Sequence, residues 1–494
     1  MSSSREWNFA GRLVARLGPN SDLTDAATSR IFPAAEVPGL IMGFAVGFLS
    51  LGLHPGDRVL ISCGLDPAST LAYLGAMYAG CVPVLVDERT LALSGDLVFA
   101  KAHAKAAWTS GRGRNRWDWA RKNGFPQVED NFEPRPVHTL EPSPCRENDL
   151  AVLMPTSGSS GAPRLVMVTH GNLIANTEAI IRSQNLGTDE KAMLIMPVSY
   201  CFGASIMHTH LYQGGGVVFD SRFMFPDKVL HAIHTYGCTT FAGVPTVYNI
   251  LLRRSHLASI PLPGLRRLVQ AGGALAPESV EELRKIVPTT EFFVMYGQTE
   301  ATARISCLPP NRLAEKLGSA GLPLDNVRVR IVDDKAQEAQ NGQSGEIQVR
   351  GPSVCEGYLD DPEATRSKFD GGWLRTGDLG SLDEDGYLWI RGRTGEFLKI
   401  RGLRVSLAEV EAKVAAIPGV YECAAAGVKH PEAGEALALF IVEDEVQDNG
   451  AHALVERVRH ALPPQWTCSS VKVVAELPKT ANGKIARSQL LTLA

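Results

Sequence analysis

The sequence predicts an α/β fold with a large N-terminal domain in which helices cover mainly parallel sheets. Up to about residue 300, short runs rich in Val, Ile and Leu alternate with helical patterns, which is typical of parallel strands buried on both faces. From about Asn326, short alternating strands bounded by Gly and Asp predict a small β-rich subdomain over about 326–392. Residues 393–494 contain further strand and helix patterns, enough for a small α+β C-terminal domain.

The individual elements follow from apolar runs and from the turn residues that bound them. A strand at 59–63, a helix from Pro67 to Ala79 and a strand at 81–86 are predicted to form a β-α-β unit. Further strands are predicted at 151–154, 192–197, 217–219, 239–242, 266–270 and 291–295, and a helix from Pro277 to Val287. In the β-rich subdomain, strands are predicted at 327–334, 345–351 and 386–393. The segment 392–395 is predicted to be a linker, so the domain boundary is placed between 392 and 393.

Composition excludes several classes of protein. The 494 residues include 49 Lys+Arg and 53 Asp+Glu, a net charge of −4, which argues against a protein that coats nucleic acid. The polar start shows no signal-peptide pattern, and the apolar stretch at 40–53 is shorter than the roughly 20 residues that span a bilayer. Nine scattered cysteines form no zinc pattern and predict reduced thiols. We therefore expect a cytoplasmic protein with no nucleic-acid or membrane partner.

The loop after the predicted strand at 151–154 is the most informative segment. It consists of Thr156, Ser157, Gly158, Ser159, Ser160, Gly161, Ala162, Pro163 and Arg164. Its hydroxyls and backbone amides can wrap a polyphosphate, and Arg164 adds a positive charge. The same composition also fits an ordinary flexible turn. The patterns of a Walker loop, a serine-hydrolase elbow and a dinucleotide-binding turn do not occur.

Five further motifs follow this loop along the chain. They are Ala271-Gly272-Gly273-Ala274, Tyr296-Gly297-Gln298-Thr299-Glu300, Arg375-Thr376-Gly377-Asp378, Gly392-Arg393 with Lys399-Ile400-Arg401-Gly402-Leu403-Arg404-Val405, and Pro478-Lys479-Thr480-Ala481-Asn482-Gly483-Lys484. In type and order, the six motifs resemble the signatures of the adenylate-forming superfamily. That superfamily comprises acyl- and aryl-CoA synthetases, peptide-synthetase adenylation domains and luciferases. The resemblance extends over residues 156–484.

The resemblance implies an ATP-dependent ligase that converts a carboxylic acid to an acyl adenylate and releases pyrophosphate. It implies three catalytic residues: Thr299 donates to the α-phosphate, Glu300 holds Mg²⁺ and Lys484 brings a mobile cation to the reacting oxygens. It also implies that Asp378 binds the ribose hydroxyls and that Arg393 contacts the ribose or a phosphate. The other implied ATP/AMP-binding residues are 156–161, Arg164, 272–274 and 296–298.

The family's acid pocket falls on segments that are mostly aromatic, small or apolar in this chain. The residues implied are Tyr200, Cys201, Phe202, Gly243, Ala271 and Ile305, with the stretch 301–305 included. Such a lining suits a neutral, flat or aliphatic acid, although each residue fits a plain core equally well. Cys201 falls about where amino-acid-activating domains carry an Asp, so an α-amino acid is not expected.

The resemblance further implies that the C-terminal domain is mobile. Its hinge falls at Gly395, and two orientations of the domain would serve adenylation and acyl transfer in turn. The expected acceptor is the thiol of CoA, which makes CoA a co-substrate beside ATP and Mg²⁺. An amine is the alternative acceptor and would give an amide. A third alternative, a catalytically inactive nucleotide sensor, conflicts with the presence of the whole catalytic set.

Overall fold

The computed structural model describes residues 6–109, 135–156, 163–394, 396–401, 403–443, 451–479 and 485–493. The described helices are α1 Phe9–Val14, α2 Val37–Ser50, α3 Pro67–Tyr78, α4 Glu88–Ala102, α5 His170–Gln184, α6 Cys201–Tyr212, α7 Pro226–Tyr236, α8 Pro245–Arg254, α9 Pro277–Ile286, α10 Pro362–Lys368, α11 Leu407–Ala415 and α12 Ala451–Ala461. Proline opens several of them at the first turn, where its missing N–H leaves no hydrogen bond unmade.

The strands are shorter and more numerous. In the first half of the chain they are β1 Leu23–Asp25, β2 Arg30–Phe32, β3 Arg58–Cys63, β4 Val82–Asp87, β5 Ala104–Thr109, β6 Leu150–Thr156, β7 Arg164–Thr169, β8 Lys191–Leu194, β9 Gly216–Phe219, β10 Thr240–Gly243 and β11 Arg267–Gln270. They continue as β12 Glu291–Tyr296, β13 Ser306–Leu308, β14 Leu322–Pro323, β15 Arg328–Val332, β16 Gly345–Arg350, β17 Phe369–Asp370, β18 Trp373–Leu382, β19 Leu388–Arg393, β20 Phe397–Ile400, β21 Leu403–Ser406, β22 Val420–His430, β23 Gly434–Glu443 and β24 Cys468–Val473.

Two mainly parallel sheets form the large N-terminal part. One has the strand order β14-β13-β12-β11-β10-β8-β9-β1-β2, and the strands from β12 to β1 run parallel while the strands beyond them are antiparallel. The other has the order β5-β3-β4-β6-β7, with only the β6–β7 pair antiparallel. Fully buried side chains on α3 and α6 pack against these sheets, as expected for parallel strands covered on both faces. The predicted α/β class is confirmed.

Two smaller sheets follow. The antiparallel sheet β15-β16-β18-β17, with β19 paired to β18, is the predicted β-rich subdomain. The last sheet, β21-β20-β23-β22 with β24 on β23, has its own apolar core with α11 and α12. A cation–π contact joins the two parts, because the guanidinium of Arg254 on α8 lies 4.3 Å from the ring centroid of Tyr421 on β22.

The structure corrects three details of the predicted elements. The strand predicted at 192–197 ends at Leu194, because Pro197 cannot donate to a ladder and the chain turns there towards α6. Asp378, expected in a turn, lies inside β18, where the left-handed backbone of Gly377 bends the strand without ending it. Gly392 and Arg393, expected in a linker, belong to β19, and Arg393 pairs there with Asp378.

Candidate active site

Three adjacent parallel strands end at the same edge of the large sheet. These are β10 at Gly243, β11 at Gln270 and β12 at Tyr296. The carboxyl ends of parallel strands are where α/β proteins bind ligands. Two of the predicted motifs and the predicted acid-pocket residue Gly243 therefore lie next to one another in space, although they are far apart in the chain.

The motif 296–300, which begins with the last residue of β12, requires a glycine at its second position. A Cβ on Gly297 would stand 1.7 Å from the carbonyl oxygen of Ala303, because the chain folds back through a 3₁₀ turn at Thr299–Ala301. The chain reverses direction at Thr302 and Ala303, which have positive φ angles of 61° and 138°. Such angles are uncommon for residues with a side chain. This tight reversal fixes Thr299 and Glu300 at the strand end.

Asp378 lies at the centre of a cluster from three different motifs. The hydroxyl of Tyr296 donates to its Oδ2 at 2.6 Å, and Nε of Arg393 donates to its Oδ1 at 2.8 Å. The Asp378 carboxylate raises the pKa of Arg393, and burial followed by the same carboxylate raises the pKa of Tyr296. The structure thus brings together three of the predicted ATP/AMP-binding residues, of which Asp378 and Arg393 were expected at the ribose.

Glu300 is buried and receives a hydrogen bond from a residue that sequence reasoning missed. The hydroxyl of Tyr358 donates to its Oε1 at 2.7 Å. The backbone of Tyr358 pairs with that of Val166 on β7, the strand that leaves the predicted phosphate loop. The guanidinium of Arg164, the first residue of β7, lies 5.5 Å from the Tyr358 ring centroid and bonds to Asp361 at 3.3 Å. Tyr358 therefore links Glu300 to the end of the phosphate loop.

Lys368 is a second residue that the sequence did not reveal. It ends α10, and its ammonium donates to the carbonyl of Thr376 at 2.8 Å, two residues before Asp378. Burial lowers the pKa of Lys368, and the nearby carboxylates of Glu300 and Asp378 oppose that effect. The position of Lys368 between the motifs 296–300 and 375–378 was the only sequence feature that could have indicated a role at the site. A single lysine on a short helix is usually exposed to solvent, so the sequence did not single it out.

The predicted adenine turn follows β11. Nε2 of Gln270 donates to the carbonyl of Gly273 at 2.7 Å, and Gly272 has a positive φ of 89°. A Cβ on Gly273 would lie 3.3 Å from Pro245, so the turn passes close to the start of α8. Gly273 and Ala274 are exposed, which leaves this face of the turn open to a ligand.

The predicted acid-pocket residues lie around the start of α6. The hydroxyl of Thr299 donates to the sulfur of Cys201 at 3.5 Å, so the nucleotide motif touches the predicted pocket directly. Tyr200 packs edge-on against Phe202, with 6.2 Å between ring centroids. Gly243, Ala271 and Ile305 are buried at the strand ends nearby. One residue of the 301–305 stretch departs from the expected apolar lining: Arg304 is 1% exposed.

Several predicted residues lie outside the described part of the chain. Thr156 and Arg164 pair across β6 and β7 at the base of the phosphate loop. The residues beyond description are Ser157, Gly158, Ser159, Ser160, Gly161, Gly395 and Lys484. Their roles stay predictions.

The buried carboxylate of Glu300 fits a magnesium ion brought by ATP. No cluster of three or more His, Cys, Asp or Glu suited to a metal occurs in the described ranges. Mg²⁺ bound with a nucleotide typically takes one or two carboxylates and the substrate's phosphates, and Glu300 alone can meet that need. None of the nine cysteines forms a disulfide bond. Among the described helices, none is long and apolar enough to cross a membrane.

Fold and site together define a nucleotide-binding enzyme of the α/β class, and comparison with known proteins identifies its family. The model of the AMP-binding enzyme family matches residues 35–359, and that of the AMP-binding enzyme C-terminal domain matches 409–484. The chain belongs to this adenylate-forming family and is an AMP-forming acid ligase by class. Its relatives include a feruloyl-CoA synthase from Amycolatopsis sp., 31% identical over 92% of each chain.

Two other relatives differ in the acceptor that their names state. A 4-coumarate–CoA ligase-like protein from Oryza sativa subsp. japonica is 32% identical over 96% of this chain and 90% of its own. The solved structure of the amide bond synthetase McbA from Marinactinospora thermotolerans is 26% identical, covers 99% of each chain and superposes with a TM-score of 0.87.

Proposed function

We propose that the protein activates a carboxylic acid with Mg²⁺–ATP and transfers the acyl group to the thiol of CoA. In the first step, a carboxylate oxygen attacks the α-phosphorus, the bond to the β-phosphate oxygen breaks and pyrophosphate leaves. In the second, the sulfur attacks the acyl carbon, the thiol gives up its proton and AMP leaves. The observation that carries this proposal is the Tyr296–Asp378–Arg393 cluster beside Glu300, within a chain matched along most of its length by CoA ligases.

The ribose would bind at Asp378. An ionised carboxylate has about four lone-pair sites, and Tyr296 and Arg393 occupy one on each oxygen, so capacity remains for two ribose hydroxyls. Gln298, two residues after Tyr296, offers a further buried donor. Its Nε2 has no hydrogen-bond partner among the described residues. Thr299, the next residue in the chain, would donate to the α-phosphate.

The negative charge of the phosphates would be neutralised by the magnesium ion and by three basic side chains. Glu300 would hold the magnesium ion, which neutralises phosphate charge when bound. Arg164 at the base of the phosphate loop and Lys368 beside Glu300 and Asp378 add fixed positive charges. Lys484 would add a mobile one from the C-terminal domain. Fixed charges aimed at developing negative charge are the largest contribution to catalysis of this type.

Formation of an amide is the second candidate function. McbA, an amide bond synthetase, matches this chain over 99% of both lengths with a TM-score of 0.87. A neutral amine can attack an acyl adenylate in the same geometry as a thiol, provided that the site orients it and excludes water. The two functions share the first half-reaction and differ only in the acceptor.

The first half-reaction is tested by acid-dependent exchange of pyrophosphate into ATP. We expect exchange that requires both Mg²⁺ and an acid, with AMP as the nucleotide product. Release of ADP and phosphate instead of AMP and pyrophosphate would rule out the adenylation mechanism. Asp378→Asn is the matched variant, because it keeps the shape of the side chain but loses the charge that pairs with Arg393.

The acceptor is tested separately, by mass spectrometry of products made from ATP and one active acid. One set of reactions contains CoA and the other a panel of small amines, each run beside free acyl adenylate without enzyme. We expect enzyme-dependent thioester and only the uncatalysed trace of amide. Enzyme-dependent amide formed without CoA would replace the thioester proposal by the second candidate.

A further inference from the structure

The buried Arg304 lies among the predicted acid-pocket residues, and its backbone packs against Gly297 of the nucleotide motif. Its guanidinium lies 4.9 Å from the ring centroid of Phe202, and its Nη2 donates weakly to Oγ of Ser205 at 3.5 Å. Thr299 bonds to Cys201, and Cys201 in turn lies close enough to Arg304 to influence its charge. The side chain of Arg304 therefore runs from the nucleotide motif to Phe202 and Ser205 on α6.

The backbone holds Arg304 firmly in this position. The side chain of Asn176 on α5 bonds to both sides of its peptide, because Nδ2 donates to the Arg304 carbonyl at 2.8 Å and Oδ1 accepts from its N–H at 3.3 Å. The left-handed residues 302 and 303 just before it direct the chain inward. The arginine is thus built into the site and does not fold in from the surface.

The charge of Arg304 has no counterion among the described residues. Its Nε is buried without a hydrogen-bond partner, and the titratable groups facing it are Tyr200, Cys201 and Cys307, none of which is acidic. Burial lowers the pKa of Arg304 to about 10, so it still carries its charge at neutral pH. A buried arginine is ordinarily paired, because an isolated charge is costly to remove from water.

Another buried arginine of the N-terminal part shows the ordinary arrangement. Arg267 on β11 is 7% exposed and forms a salt bridge with the buried carboxylate of Glu190. Its guanidinium also donates to two backbone carbonyls, those of Gln184 and Asn185. Arg304 is more deeply buried than Arg267 and has neither a carboxylate nor a carbonyl acceptor among the described residues. The missing acceptor is therefore expected to come from a ligand.

We propose that Arg304 recognises a second anionic group on the carboxylic acid, at the end opposite to the carboxylate that is adenylated. This inference rests on the proposed function, since it specifies the acid that the ligase takes. It replaces the neutral acid expected from the apolar lining by an acid with an aromatic or aliphatic body and an anionic tail. Tyr200 and Phe202 would contact the body, and Arg304 the tail.

The test compares matched acids that differ only at the tail. The pairs are hexanoate with adipate, and cinnamate with para-carboxycinnamate. For each acid, kcat/KM is measured by pyrophosphate exchange with the wild type, Arg304→Met and Arg304→Lys. Methionine fills the space without a charge, a change that is often tolerated at buried ion sites. Arg330→Met is the control, because Arg330 also stacks on an aromatic ring, 4.2 Å from Trp373, in the β-rich subdomain.

We expect the wild type to prefer the dianionic member of at least one pair. Arg304→Met should lower kcat/KM for that acid about 10²–10³-fold, mainly through KM, and leave the neutral partner equal or better. Arg304→Lys should recover part of the loss, and Arg330→Met should change neither acid. A wild type that prefers both neutral acids, with a preference unaltered in Arg304→Met, would overturn the inference and leave the proposed function standing.

Equilibrium binding separates this inference from the proposed function. Calorimetry measures binding of adipate and para-carboxycinnamate to the wild type and Arg304→Met, with a non-hydrolysable ATP analogue present. If no acid supports exchange but the dianionic acids bind and lose binding in Arg304→Met, the proposed function fails and the inference stands. If neither exchange nor dianion binding is found with the wild type, both fail. Circular dichroism and the melting temperature show whether each variant is folded.

Discussion

The hydrogen bond from Tyr358 to Glu300 is the most specific single contact at the site. Tyr358→Phe keeps the packing and removes only the hydroxyl that donates to Oε1. A buried acceptor that loses its donor costs about 1–3 kcal/mol, so we expect pyrophosphate exchange to fall about tenfold at saturating acid. Tyr78→Phe is the control, because it removes the hydroxyl of a tyrosine on α3 that donates to the backbone carbonyl of Leu140. Equal losses in both variants would show that the effect is one of stability alone.

Lys484 is the residue whose role rests most completely on the family motif. Lys484→Ala should slow adenylation about 10²–10³-fold, as loss of one preorganised charge does elsewhere, and leave transfer from supplied acyl adenylate nearly intact. Lys472→Ala, at an exposed position on β24, is the control. Stopped-flow measurement of each half-reaction gives the answer, and equal losses in both would contradict a role confined to the first.

Residue types and order in the sequence predicted the members of the Tyr296–Asp378–Arg393 cluster, which is the proposed ribose site, but not the residues that support it. Tyr296, Asp378 and Arg393 come from motifs with a recognisable spacing, and the structure joins them. Tyr358 and Lys368 belong to no motif used for the prediction, and their part in the site depends on which strands pair. Arg304 was included in an apolar stretch, because the sequence alone does not show whether an arginine finds a carboxylate.

At the scale of elements, the chain reversal after β12 positions Thr299 and Glu300, which are predicted to be catalytic. Gly297→Ala would place a Cβ 1.7 Å from the Ala303 carbonyl, so either Tyr296 or the strained pair 302–303 must move. Overpacking of this kind costs about 1–3 kcal/mol, and we expect a lower melting temperature together with a higher KM for ATP. Gly264→Ala is the control, since its nearest neighbour would lie 3.7 Å away. An unchanged KM for ATP would show that the reversal does not position the nucleotide residues.

Apolar runs located the parallel strands well, because strands buried on both faces have no polar alternation to obscure them. The strands at β3, β4, β11 and β12 lie within one or two residues of their predicted bounds. The short strands β1, β2 and β14 were missed, since two or three residues give too little periodicity. The order of strands in a sheet is set by long-range packing and did not follow from the sequence.

At the scale of the whole molecule, we propose that residues 396–494 turn as a unit about Gly395 between two half-reactions, while Arg393 stays with β19. The last strand of the β-rich subdomain, β19, carries Arg393 into the ribose cluster, and β20 starts at Phe397, so little chain separates the two parts. The contact of Arg254 with Tyr421 is a single cation–π interaction between side chains. A contact of this size can break and re-form during a catalytic cycle.

Replacement of the hinge tests this motion. Gly395→Pro fixes φ near −65° and restricts Thr394, whose N–H bonds to the Gly377 carbonyl at 2.7 Å. If the frozen orientation is the adenylating one, pyrophosphate exchange should persist while acyl transfer to the acceptor falls by at least about tenfold. Gly395→Ala retains the N–H and a wider range of φ, so it should lose much less. Unchanged rates in both half-reactions of Gly395→Pro would place the pivot elsewhere in the chain.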